Sequence, residues 1–121
     1  GDPKAFNPKL GPGLKRSCTA DGWKRGIDAV AACPGVMCKI SGIVAFVPPG
    51  EWRAAGLAPV VNHCVDAFGP DRVFFGGDWP VCLLGSRLRG WVEALKEIVA
   101  SRPFEDQRKL WSGNATRFYK L

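Results

Sequence analysis

The chain of 121 residues carries 17 basic and 11 acidic side chains, a net charge of +6, with 46% hydrophobic and 23% charged residues. Those proportions exclude intrinsic disorder and collagen-like repeats, and no apolar run reaches the roughly 18 residues that a membrane-spanning helix requires. The start, Gly1-Asp2-Pro3-Lys4, lacks the charged-then-apolar pattern of a signal peptide, so the sequence reads as soluble, non-secreted and cytoplasmic. Its single methionine is Met37, which reads as a numbering that starts inside a longer frame or after processing.

The positive charge invites a nucleic-acid reading, but its distribution does not favour one. Residues 1–25 carry six basic and two acidic groups, residues 87–121 eight and four, and the stretch between them three and five. The excess at the two ends is read as solvated helix faces. The rival reading is a stand-alone basic α/β interaction module that holds an anionic partner. Five cysteines, Cys18, Cys33, Cys38, Cys64 and Cys82, contain no C-x-x-C pair and are read as buried thiols in a reducing compartment.

Residues 1–18, with three prolines and three glycines, read as loop. From Thr19 to Ala32, Trp23, Ile27, Val30 and Ala31 recur at helical spacing, with Thr19 or Asp21 as the expected N-cap. Pro34-Gly35 ends that helix, and residues 36–41 follow as a short buried strand. A loop from Gly42 to about Ala55 leads to a second helix marked by Leu57, Val61, Cys64, Val65 and Phe68, which Gly69-Pro70 stops. Residues 73–76 form a second strand. A third helix is expected from near Ser86, striped by Leu88, Trp91, Val92, Leu95, Ile98 and Val99. A fourth begins at Pro103 and closes at Gly113-Asn114, with one last turn to Tyr119. This order predicts an α/β architecture with parallel strands joined by helical crossovers. Two strands cannot bury both faces of a sheet, so the chain is expected to pair with a copy or to belong to a larger fold.

The chemistry concentrates in Phe75-Gly76-Gly77-Asp78-Trp79-Pro80. A carboxylate just past two glycines stands at the carboxyl end of a strand, where α/β folds bind ligands. On physics alone Asp78 reads equally as the start of a turn or as a catalytic group. Lys39 shares strand parity with Met37 and Ser41, opposite Cys38 and Ile40. Its ammonium either reaches a substrate carboxylate or carbonyl, or pairs with an internal carboxylate. Trp79 is a candidate wall of the same pocket. Trp52 is read as packing, and Trp23, Trp91 and Trp111 as core. His63 flanks the apolar stripe of the second helix and reads as a surface or partly packed histidine. Asn114-Ala115-Thr116 matches a glycosylation acceptor by pattern only.

Taken with Cys38-Lys39-Ile40-Ser41-Gly42 upstream and Asn114-Ala115-Thr116-Arg117-Phe118-Tyr119 downstream, this segment resembles the C-terminal part of the amidohydrolase-related (amidohydrolase 2) family, in its lactonase-like branch. The likeness runs from about Trp23 to the end. It implies that residues 1–121 are the C-terminal portion of one (β/α)₈ barrel domain, comprising about two βα units and the C-terminal helices, with residues 36–41 and 73–77 as its last two strands. It implies a hydrolase for lactones or similar C–O ester bonds acting on a small molecule, with no nucleic-acid or membrane partner. Asp78 would be the general base and a metal ligand, with Lys39 and Trp79 at the substrate.

The family's His-x-His pair and its further histidine have no counterpart here. The resemblance therefore implies a divalent metal, zinc in the first place, whose remaining ligands lie outside this chain, and an inactive fragment on its own. A metal-independent lactonase, with Lys39 as polarising group, is the alternative.

Overall fold

The computed structural model describes residues 20–45 and 50–121. The loop expected over residues 1–18, the N-cap candidate Thr19 and Cys18 lie outside them. Helix α1 (Ala20–Ala31) presents Trp23, Ile27 and Ala31 to the core. These recur at strict four-residue spacing, so Val30, which the sequence placed on the same stripe, falls at its edge and is 47% exposed. Strand β1 (Cys38–Ile40) is shorter than the six residues expected. Helix α2 (Ala54–Phe68) buries Leu57, Val60, Val61, Cys64, Val65 and Phe68 and returns the chain to strand β2 (Val73–Phe75). The Gly69 N–H donates to Val65 O at 2.8 Å and ends α2 where Pro70 forbids a further turn.

β1 and β2 pair in parallel, with Cys38 opposite Val73, Lys39 opposite Phe74 and Ile40 opposite Phe75. Side chains alternate across a strand, so the sheet has two unlike faces. Cys38, Ile40, Val73 and Phe75 pack against the helices, with Ile40 and Val73 at most 2% exposed. Lys39 and Phe74 point the other way.

A 3₁₀ turn (Val81–Leu84), not foreseen in the sequence, separates β2 from helix α3 (Leu88–Val99). Trp91, Leu95 and Val99 on α3 are fully buried, and each such aliphatic side chain contributes about 1.5–3 kcal/mol through burial. Helix α4 (Phe104–Arg108) runs into a π-helical turn (Lys109–Gly113) and helix α5 (Asn114–Tyr119). The sequence placed a helix end at Gly113-Asn114. Instead Gly113 holds helical dihedrals, φ −58° and ψ −47°, because the buried Asn114 amide has a tertiary role. Its Nδ2 donates to Pro70 O at 2.6 Å and Val73 O at 2.8 Å, fastening α5 to the start of β2. Burial of that amide agrees with setting aside the glycosylation pattern.

Arg72 is a second fastener. Its guanidinium donates to Ala31 O, Cys33 O and Val36 O, its Nε donates to Phe68 O, and its carbon end lies 5.3 Å from the Phe68 ring centre. One side chain thus joins the end of α1, the turn into β1 and the end of α2.

Candidate active site

Both parallel strands end on the same side of the sheet, which brings residues 41 and 42 beside residues 76–78. The Gly76 N–H donates to Ile40 O at 2.9 Å, so the pairing continues one step past β2. A methyl group on Gly76 would stand 2.5 Å from Lys39 Cε and 2.8 and 2.9 Å from Ser41 Cβ and Oγ. Position 76 therefore requires glycine, and the space a side chain would fill is taken by Lys39 and Ser41. The glycines were expected to let backbone approach a ligand; at Gly76 they admit the protein's own polar groups.

Gly42 lies beside Asp78 at ordinary contact distance. It adopts φ +73°, which favours glycine, and its missing Cβ would lie 3.5 Å from Asp78 Oδ2. Asp78 itself has φ 52°, unusual for a non-glycine residue although aspartate tolerates it better than most. Its carbonyl accepts the Cys82 N–H at 2.7 Å, so the turn is held by its backbone and the carboxylate is left available. From the helix side, the fully buried Trp91 donates its indole N–H to Gly76 O at 3.0 Å and fixes the end of the strand.

Among the described residues, the side chains of Lys39, Ser41 and Asp78 make no hydrogen bond or ion pair. Elsewhere the aspartates Asp28, Asp66 and Asp71 pair with His63, Arg102 and Lys109. The internal carboxylate considered for Lys39 is thus not among the described residues. Trp79 directly follows Asp78, across a cis peptide to Pro80, and its side chain is 66% exposed. Ser41 escaped the sequence reading as a site residue, although its shared parity with Lys39 was a signal for it.

The remaining sequence candidates lie away from this site. His63 is half-buried on α2, its Nε2 3.0 Å from Asp28 Oδ1 without hydrogen-bond alignment, and its ring 5.5 Å from that of Trp23. Trp52 donates to Gly85 O at 3.0 Å and packs on the core. Trp91 lies fully within the core, while Trp23 and Trp111 pack against it half-buried. Cys64 and Cys82 are buried and Cys38 is half-buried, but Cys33, expected inside, is exposed. Cys38 and Cys64 influence each other on the helix-packed face: the neighbouring Cys38 sulfur, with burial, pushes the Cys64 pKa up, while Cys64 holds the Cys38 thiol below its usual range.

Among the described residues, no three His, Cys, Asp or Glu side chains converge to hold a metal. Asp78 alone stands at the strand ends as a possible ligand, whereas a catalytic zinc ordinarily takes three protein ligands. No helix among these residues is long and apolar enough to cross a membrane.

A carboxylate and an ammonium thus stand at the carboxyl ends of parallel strands, where α/β folds bind ligands. Residues 12–121 match the amidohydrolase family model, and the chain belongs to that family. It is 36% identical over 107 residues to the L-fucono-1,5-lactonase of Burkholderia multivorans, covering 82% of this chain and 35% of that protein. It is 30% identical over 117 residues to the L-fucono-1,5-lactonase of Burkholderia ambifaria, covering 84% and 36%. Among solved structures, an amidohydrolase from Burkholderia multivorans with bound zinc matches at TM-score 0.75 and 34% identity, over 84% of this chain and 37% of that one. Amidohydrolase 2 from Bifidobacterium longum subsp. infantis matches at TM-score 0.57 and 23% identity, over 91% and 36%, a likeness of fold alone. The chain spans about a third of the length of the relatives it matches.

Proposed function

We propose that this chain forms the C-terminal part of a (β/α)₈ barrel hydrolase that opens lactones of sugar acids, with Asp78 as general base. The observation that carries this reading is the carboxylate of Asp78, set beside Gly42 at the strand ends, without a side-chain partner among the described residues and on the same side as Lys39. The relatives' lactonase activity supports the substrate class.

In this reading a water oxygen attacks the lactone carbonyl carbon while Asp78 accepts the water proton. The ring C–O bond then breaks, and the proton passes to the departing ring oxygen, leaving an open hydroxy acid. Lys39, laid across Gly76, binds the substrate carbonyl or carboxylate, and Trp79 walls the pocket. A divalent ion, zinc in the first place, would polarise the carbonyl and acidify water when bound; among the described residues at the strand ends, Asp78 is the one that would offer it a ligand. The substrate is a small molecule, and the protein works in the cytoplasm.

The test is a pH-stat assay of the full-length protein on L-fucono-1,5-lactone and other aldonolactones, with metal content measured before and after chelation. Hydrolysis well above the spontaneous rate is expected. Absence of acceleration across the series would overturn the reading, and undiminished activity after complete metal removal would favour the metal-free form.

A further inference from the structure

Lys39, Ser41 and Asp78 place three hydrogen-bonding characters at one end of the sheet. The ammonium only donates, the carboxylate only accepts, and the hydroxyl does both. Ser41 is the least movable of the three. Its short side chain packs at 2.8–2.9 Å from the Cβ position that Gly76 leaves empty, so its hydroxyl is carried rigidly by the backbone. Long side chains such as Lys39 can swing, whereas Ser41 turns only about χ1.

The Ser41 hydroxyl has no protein partner among the described residues, and on a half-buried side chain it remains open to an incoming molecule. Gly42 follows immediately and lies beside the Asp78 carboxylate, 3.5 Å from its Oδ2 to the position a Cβ would take, so Ser41 and Asp78 stand on neighbouring strand ends. Resting on the reading of the chain as a lactone-hydrolysing enzyme, we propose that Ser41 is a specificity-determining residue that hydrogen-bonds a ring hydroxyl of a polyhydroxylated lactone. A hydroxyl is the substrate group that matches a donor and acceptor at one point. A lactone without ring hydroxyls gains nothing from it, and sites built to bond a hydroxyl discriminate against analogues that lack it.

The experiment compares wild type, Ser41→Ala and Ser41→Thr in the full-length protein. Turnover is measured on an aldono-1,5-lactone and on unsubstituted δ-valerolactone, and calorimetry measures binding of the aldonate product. One neutral hydrogen bond predicts that Ser41→Ala lowers kcat/KM for the aldonolactone roughly 3- to 10-fold, mainly through KM, and weakens aldonate binding similarly. Turnover of δ-valerolactone stays the same, and Ser41→Thr restores most of the loss. Equal losses on both lactones, or no loss on either, would overturn the role of Ser41 while leaving the hydrolase reading intact. If wild type binds the aldonate more tightly than Ser41→Ala yet hydrolyses neither lactone, the hydrolase reading fails and the binding role stands. If it neither binds nor hydrolyses, both are overturned.

Discussion

Gly76 shows how a residue without a side chain can define a site. Alanine there would press within 2.5–2.9 Å of Lys39 and Ser41. Lys39 can yield because the contact is near the end of a flexible chain, but Ser41 can yield only if its strand moves. Gly76→Ala is therefore expected to destabilise the protein by about 1–3 kcal/mol, the usual cost of overpacking, in denaturant unfolding. It should also lower lactone turnover by more than the loss of folded protein accounts for. An unchanged unfolding midpoint would mean that the strand ends are looser than described. The sequence singled out Asp78 through two preceding glycines and Lys39 through strand parity, and the structure sets both near the strand ends. It could not disclose the Gly76–Ser41 contact, which depends on the register of two strands more than thirty residues apart, nor the positive φ of Asp78.

At the scale of elements, the crossover α2 and the strands it joins were legible because each is a short apolar run ended by Gly or Pro. The link between α3 and the site was not, since it runs from the Trp91 indole to the carbonyl of Gly76. Trp91→Phe keeps the ring but leaves that buried carbonyl short of a donor, so a loss of about 1–3 kcal/mol is expected in denaturant unfolding. Asn114→Ala should cost a similar amount by the same measurement, because it unfastens α5 from Pro70 O and Val73 O. The long helical passage from α4 through the π turn into α5 was misread, since Gly113 is an ordinary stop signal and its helical conformation follows from the tertiary bonds of Asn114. In that region Lys109 lies 2.7 Å from Asp71 and holds its carboxyl below the usual carboxylate range, while Asp71 holds the Lys109 amine above its own. A depressed carboxylate stabilises the folded state above its unfolded pKa and loses that contribution as pH falls through the folded value. A raised amine contributes below its unfolded pKa and loses it as pH rises through the folded one. The pair should therefore support stability at neutral pH and fade below about pH 4 and in strong alkali. Because both groups are solvent-facing, 1 M salt should weaken its coupling in a double-mutant cycle; a coupling unmoved by acid would contradict this.

For the whole molecule, two strands give a sheet whose outer edges are open among the described residues, and Val81, Leu83, Leu84 and Trp79 are exposed near the candidate site. Open edges beside apolar surface favour association, so the 121-residue chain on its own is expected to self-associate in sedimentation velocity at micromolar concentration. A monodisperse monomer would show that these edges are sufficiently protected. The same open sheet fits a portion of a larger barrel, as does the match to about a third of each relative. The proposed chemistry rests on one carboxylate, that of Asp78. The most direct measurement is kcat/KM of Asp78→Asn in the full-length protein on an aldonolactone, alongside its thermal unfolding. Loss of a general base predicts a fall of roughly 10²–10⁴-fold with little change in melting temperature, whereas turnover close to wild type in a folded variant would contradict the account.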